Sequence, residues 1–375
     1  MNKITHALFT IGLLAGVPTL AAAAETMPDK PGVPSLGAIM GAAGINVSGY
    51  IDTSYTYLSG SGKFTDTAAT PNRVFDRESN SFNLNMIDVT VSSLPSEGFG
   101  GLVNLNFGSD ARVSAATGTD TTDEFDIQAA YVHYASGPLM VIAGKYVTLA
   151  GAEVIKSPAN LNYSRSILFG YAIPFTHTGV RATYAVGDKL TLVAGVNNGW
   201  DVFKDSASEA RKTLELSVST TPVKSLAIAA SAYLGKEPGA AVGGTRTLFD
   251  VVATYTVSDA LSFVLNYDYA RQEDAVTVGE KAEWSGVAGY VNYRLSDQWR
   301  VALRGETFED KHGYRTGVTQ TWDEATFTLA YMPNTNVELR GEVRADKSDQ
   351  QSFLQSDGTA KDSQSSVGLQ AIYKF

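Results

Sequence analysis

From Ile45 to Phe375 the chain alternates in two ways at once, residue by residue and connection by connection. Segments 45–58, 81–94, 98–107, 124–134, 139–148, 175–185, 189–197, 211–220, 225–235, 245–257, 260–272, 283–295, 298–309, 321–331, 336–345 and 366–375 each read as strands of period two. The connections between them are short and long in turn. The short ones (95–97, 136–138, 186–188, 221–224, 258–259, 296–297 and 333–335) carry Pro, Gly, Ser, Asp and Asn, as tight turns require. The long ones (59–80, 108–123, 149–174, 198–210, 236–244, 273–282, 310–320 and 346–365) are polar. A soluble sandwich has no reason to keep this rhythm. An all-β, up-and-down antiparallel barrel crossing a membrane does: short periplasmic turns, long extracellular loops, and an even number of strands, here about 16.

The two faces of each strand support the same architecture. In 260–272, Leu261, Phe263, Leu265, Tyr267 and Tyr269 oppose Ser262, Asn266 and Asp268. In 321–331, Ala325, Phe327, Leu329 and Tyr331 oppose Thr326 and Thr328. In 336–345, Val337, Leu339, Gly341 and Val343 oppose Glu338, Arg340, Glu342 and Arg344. Arg340 at a bilayer midplane would cost ~2–4 kcal/mol, so the charged faces should line a wet lumen and the apolar faces should meet lipid. Tyr55, Tyr57, Tyr131, Tyr184, Tyr331 and Tyr373 suit interfacial girdles, or are simply good strand formers. The final strand alternates through Val367, Leu369, Ala371 and Tyr373 to a terminal Phe375. This is similar to the C-terminal signature read by the outer-membrane barrel-assembly machinery, which makes Tyr373 and Phe375 the expected assembly signal.

The N-terminus reads as an address. Lys3, the apolar run 7–17 and Ala22-Ala23-Ala24 give the three parts of a secretory signal peptide over 1–24. Residues 25–44, with Pro28, Pro31 and Pro34, read as a leader, and 45–375 as one barrel. The chain has no Cys, which excludes disulfides, thiolate catalysis and Cys-bound metal. A formal charge of −10 argues against a nucleic-acid partner. The mean hydropathy of −0.06 excludes a helical bundle and is what two opposite strand faces average to.

The stretch GKYVTLAGAEVIKSPANLNYSRSILFGYAIPFTHTGVRATY, followed by GVNNGWD, resembles the OmpL-like outer-membrane β-barrel porins of the porin-2 type. The resemblance rests on the Gly144-Lys145 strand end, the Ser164-Arg165-Ser166-x-Leu168-Phe169 and Pro174-x-x-His177-Thr178-Gly179 elements, and Asn197-Asn198-Gly199-Trp200-Asp201. It covers most of the mature chain, about Val47 to Phe375. It implies a bacterial outer-membrane location and a passive channel for small hydrophilic solutes or ions. It implies no cofactor, no resident metal and no chemical step, and it carries over no catalytic residue. Outer-membrane lipid and lipopolysaccharide are the expected surroundings. Assembly stays open: porins of this size often form homotrimers, and the small-residue strand 225–235 (Ala227, Ala229, Ala230, Ala232) could serve subunit contact or be an ordinary face.

Barrels of this size leave a channel that selectivity residues can line. Parity places Asp52, Lys145, Arg181, Glu215, Asp250, Asp268, Arg300, Arg304, Glu306, Glu338, Arg340, Glu342 and Arg344 on the lumen face. Arg300, Arg304, Glu338 and Arg340 can act on passing solutes or form an ion network that stiffens the wall. The third long loop, 149–174, holds Val154, Ile155, Leu161, Ile167, Leu168 and Phe169 beside Glu153, Lys156 and Arg165. So apolar a loop should not lie free in water. It is expected to fold inward and constrict the pore, or else to pack outward on a neighbour. Glu153, Lys156 and Arg165, with Lys145 and Arg181 on adjoining strands, are the expected constriction residues.

Weaker signals define the alternatives. Residues 59–63 lack the spacing of a phosphate loop. His133, His177 and His312 are too scattered for a metal motif. The acidic loop stretches 120–126 and 346–349 could bind divalent cations or simply be solvated. His177 beside Ser164 or Ser166 would be the core of a phospholipase-like barrel hydrolase. A non-conducting surface adhesin is the other alternative.

Overall fold

The computed structural model describes residues 36–59, 73–77, 79–116, 124–205, 211–237, 244–275, 277–355 and 358–375. The expected signal peptide 1–24, most of 25–44, residues 60–63 and part of the 120–126 stretch lie outside these residues. After a short helix α1 (Leu36–Ala42) come β1 (Asn46–Leu58), β2 (Ser81–Ser93), β3 (Gly98–Phe107), helix α2 (Ser109–Ser114), β4 (Phe125–Ser136) and β5 (Leu139–Val147). Then follow β6 (Thr176–Val186), β7 (Leu190–Asn197), β8 (Thr213–Val223), β9 (Leu226–Glu237), β10 (Gly244–Thr256) and β11 (Leu261–Gln272). The chain closes with β12 (Ala282–Arg294), β13 (Trp299–Asp310), β14 (Gln320–Tyr331), β15 (Val337–Ser348), the two-residue strands β16 (Phe353–Leu354) and β17 (Ala360–Lys361), and β18 (Ser363–Lys374).

Sixteen strands, β1–β15 and β18, form one closed antiparallel barrel in chain order, with β18 joining β15 to β1. Closure removes sheet edges and pairs the backbone groups internally, as a lipid surround demands. The seam is zipped at its end by Gly49 N–H to Phe375 O (2.9 Å) and Phe375 N–H to Gly49 O (3.0 Å). A side chain at 49 would come within 2.6 Å of the Phe375 ring, so glycine makes room for the terminal residue there. The segment 98–107 coincides with β3, while other strand ends shift by a few residues. The largest shift is at the last long connection, where β15 runs on to Ser348, β18 starts at Ser363, and β16 pairs with β17.

The faces sort as a barrel in lipid requires. Leu265, Tyr267, Phe327, Leu339 and Val343 are exposed on the outside, while Asn266, Asp268, Thr326, Glu338, Arg340, Glu342 and Arg344 are buried inside. Phe82, 87 % exposed, pairs with Tyr55 on the outer wall; Phe99 with Tyr134 and Trp299 with Tyr331 do the same. Tyr373 and Phe375 also lie on the outer wall, their rings 6.4 Å apart. Tyr131 departs from the expected girdle. It packs on the buried cluster of Met140, Ile142 and Tyr146, because β3 and β4 slip register at Asn104/Leu105 and the parity of β4 changes there.

Residues 148–175, between β5 and β6 and called L3 below, run inside the barrel. Ile155, Ile167, Leu168, Phe169, Tyr171 and Ile173 share a buried cluster with the wall residues Tyr50, Met86, Trp284, Phe308 and Trp322. Burying side chains of this size contributes roughly 1.5–3 kcal/mol each, which is why L3 does not stay in water. Two inward wall glycines leave space for it. A Cβ at 286 would meet Leu168 at 2.7 Å, and one at 368 would meet the Tyr163 ring at 2.6 Å.

Candidate functional site

L3 is held by its backbone. Strands β13–β15 present arginines that donate to its carbonyl oxygens and glutamates that accept from its amides. Arg340 reaches the oxygens of Asn160 (2.8 Å) and Asn162 (3.0 Å). Arg304 reaches Ser164 O (2.8 Å), and Arg344 reaches Arg165 O (2.7 Å). Glu342 accepts from the Tyr163 and Ser164 amides (2.7 and 3.0 Å), and Glu306 from those of Ile167 and Leu168 (2.7 and 3.1 Å). An irregular loop buried in a barrel would otherwise leave these groups unpaired, at about 1–3 kcal/mol each. The sequence alternation of charge on β15 is therefore a two-signed grip on a peptide chain.

On its other flank L3 carries two cations toward an acidic wall. Lys156 Nζ is 3.1 Å from Asp88 Oδ1 and 2.8 Å from Thr90 Oγ1, and its side chain is 36 % exposed. Arg165 is buried among L3's own carbonyls, Ile155 O at 2.7 Å and Tyr163 O at 3.0 Å, with its guanidinium 5.2 Å from the centre of the Phe75 ring. Its Nε has no hydrogen-bond partner. Facing this flank are Asp52 on β1, Asp88 on β2 and Asp110 on α2. Asp52 accepts from Asn85 (2.9 Å) and Gln370 (2.8 Å). Burial pushes the Asp110 carboxyl up to about 8, against the pull of Arg165. Opposite charges so placed set up a local field across the contact between L3 and the wall.

The remaining sequence-selected residues fall in two groups. Glu153 accepts from Ser166 N–H (2.7 Å) and from Arg304 Nη1 (2.8 Å), so it braces L3 internally and to the wall. Arg300 and Arg340 share Glu338, at 2.8 and 2.7 Å. With Arg304 they belong to the charged wall network that contacts the L3 backbone. Lys145 and Arg181 lie apart from L3's charged flank. Lys145 pairs with Asp126 at 2.8 Å; Arg181 pairs with Glu215 at 2.5 Å and stacks 4.1 Å from the Tyr146 ring centre.

Sequence reading missed Asp88, Asp110 and Asn85. Asp88 alternates inward on β2 and was legible from parity. Asn85 was not: a bulge opposite Asp52/Thr53 turns both Asn85 and Met86 inward. The Ser–His pair of a hydrolase does not form. His177 stacks on Tyr233 at 5.0 Å with Nδ1 3.1 Å from Gly199 O. Ser164 Oγ instead accepts from Arg304 (3.0 Å), and Ser166 Oγ from the Phe169 amide (3.0 Å).

The comparisons with known proteins agree with this architecture. Among solved structures, the outer membrane channel DcaP of Acinetobacter baumannii is similar at a TM-score of 0.63 and 16 % identity, over 88 % of this chain and 97 % of that one. The anion-selective porin from Comamonas acidovorans is similar at 0.63 and 10 %, over 88 % and 99 %. The trimer form of OmpT from Vibrio cholerae is similar at 0.59 and 14 %, again over 88 % and 99 %. No curated protein sequence matches the chain significantly. The model of one family, "Putative beta-barrel porin-2, OmpL-like", matches residues 44–375. With that match spanning the closed barrel, the chain belongs to the OmpL-like β-barrel porin-2 family and is an outer-membrane porin channel.

Proposed function

We propose that the protein is a passive channel for small hydrophilic solutes or ions, with L3 as its constriction and no chemical step. The observation that carries this reading is the asymmetry of L3. One flank is fixed to β13–β15 through its backbone, while the other presents Lys156 and Arg165 to Asp52, Asp88 and Asp110. A loop packed only for stability would not need two cations on the side away from its anchors. Solutes carrying both charges, or strong dipoles, are aligned by such a field as they pass. Liposome swelling with neutral solutes of graded size, then with charged ones of equal size, tests it. Passage of small solutes with a size cut-off is expected, and a folded protein that admits none contradicts the reading.

Three further proposals concern partners. Tyr373 and Phe375, on the outer wall at the seam, serve as the signal read by the assembly machinery. Truncating Phe375 should leave the barrel unassembled in cells. Outside-facing Arg271, Glu283, Glu309 and Lys347 at the extracellular strand ends suit the headgroup zone of lipopolysaccharide. A homotrimer is supported by the trimer form described for OmpT and by an outer apolar hollow of about 600 Å³ floored by Ala182, Ala194, Ala230 and Ala232. Native mass spectrometry of the detergent-folded protein decides between three copies and one.

A further inference from the structure

The polar first long connection, between β1 and β2, carries two apolar residues, Val74 and Phe75, beside Arg73, Asp76 and Arg77. This short stretch does not lie in water. Arg73 and Phe75 are each 3 % exposed. Phe75 enters the buried cluster of L3, its ring centre 5.7 Å from that of Phe169 and 5.6 Å from that of Phe175. Val74 lies over Gly170, where a Cβ would meet its Cγ2 at 2.7 Å, so a glycine of L3 makes room for a side chain of the first loop. The turn is closed on itself. Asp76 takes a left-handed φ of +43°, which aspartate tolerates, and accepts from Arg73 Nη1.

Two routes join this stretch to Arg165. The direct one is the Phe75 ring, its centre 5.2 Å from the guanidinium. Arg165 gives Nη1 and Nη2 to carbonyl oxygens of L3, its Nε has no hydrogen-bond partner, and the residue is 5 % exposed. An aromatic face attracts a guanidinium so placed, most strongly where water is kept out. The indirect route runs through β15. Asp346 accepts from Arg73 Nη2 at 2.9 Å on one oxygen and from Arg344 Nη2 at 2.6 Å on the other. Arg344 Nη1 in turn donates to Arg165 O at 2.7 Å. Arg73 also donates to Ser366 on β18 at 2.9 Å. One wall carboxylate therefore aligns the first loop with L3.

We propose that Phe75 is a specificity-determining residue of the channel that acts through Arg165: the first loop, latched to the wall by Arg73, sets how much of that cation passing solutes meet. This rests on the reading of L3 as the constriction. With the ring in place the guanidinium is sealed between Phe75 and the carbonyls of L3, and Lys156 is the more exposed cation. Without the ring, one face of the guanidinium gains water. A permanently charged, weakly hydrated group then acts on anions in the path. Phe75 is thus a positioning residue, its effect passing through Arg165.

The test is the reversal potential of the full barrel in a potassium chloride gradient, for the wild type, Phe75→Ala, Arg165→Met and the double variant. Phe75→Ala should shift the potential toward anion preference. In the Arg165→Met background the same substitution should shift nothing. A Phe75→Ala barrel with the wild-type potential overturns the proposal. So does an equal shift with and without Arg165, which would make the ring a plain filler of the pore. If Phe75→Ala does not fold, Phe75→Leu, which keeps bulk and loses the ring face, takes its place. Limited digestion with trypsin gives a reading that needs no conduction. The bond after Arg73 should be spared in the folded wild type and cut in Phe75→Ala, and rapid cutting there in the wild type overturns the proposal. A folded wild type that conducts nothing overturns this proposal together with the constriction reading. One that conducts and answers to Arg165→Met but not to Phe75→Ala overturns this proposal alone.

Discussion

Arg304 Nη1 stands 2.8 Å from Glu153 Oε1, tying a strand of the wall to the root of the loop that fills the lumen. The same guanidinium reaches Glu324 at 2.9 Å and lies 3.7 Å from Glu306, with no solvent exposure. Substituting Arg304→Met leaves three buried carboxylates around an apolar side chain. The expected cost is about 3–5 kcal/mol, the usual penalty for breaking a buried charge cluster from one side. Thermal unfolding in detergent should show a clearly lower midpoint, and an unchanged midpoint would mean the cluster does not hold L3.

Lys156 is the more exposed of the two L3 cations and the better handle on selectivity. Lys156→Glu and Arg165→Glu should each move the reversal potential in a salt gradient toward cation preference. Lys156→Glu should do so without loss of folded protein, since its side chain is partly in water. No shift in either variant would remove the L3 flank from the conduction path.

Asp110 should give the channel a pH dependence near neutrality. Its folded value of about 8 lies above the ordinary 3.8, so the folded barrel keeps a proton that the unfolded chain releases. Its contribution to stability therefore falls as pH rises from about 4 to 8. In the pore it gains its negative charge only as pH passes through about 8. Cation preference should increase between pH 7 and 9, and Asp110→Asn should flatten that change. A wild type with pH-independent reversal potential over this window contradicts the assignment.

Gly368 is a wall position defined by what comes near it. A Cβ there meets the Tyr163 ring at 2.6 Å, so Gly368→Val should push L3 off β18 at a cost of about 1–3 kcal/mol, as overpacking does. Limited proteolysis should then cut within L3 in the variant and spare it in the wild type. Equal protection would show that the wall can yield.

Much of this was legible in the chain itself. The alternation of Leu265 and Tyr267 against Asn266 and Asp268 encodes which face meets lipid, and the short and long connections encode the topology. The apolar residues Ile167, Leu168 and Phe169 mark L3 as a segment that must be buried. The division of labour among charges was not legible. Arg300, Arg304, Glu338 and Arg340 share the same parity as any lumen-lining residue, and only the path of L3 decides that they bind its backbone or one another. Asn85 escaped because a single bulge reverses parity, which alternation cannot anticipate. Gly286 and Gly368 did hold a readable signal: inward glycines in mid-strand imply that something else approaches the wall.

Under the proposed function L3, fixed to β13–β15, sets the size of an open channel. Single-channel recording in planar bilayers of the wild type beside a Glu306→Gln/Glu342→Gln variant tests it most directly, because those two carboxylates hold four L3 amides. Stepwise openings in the wild type, and larger or noisier unitary steps in the variant, are predicted. Correctly folded wild-type protein that gives no steps, or identical steps in both proteins, would contradict it.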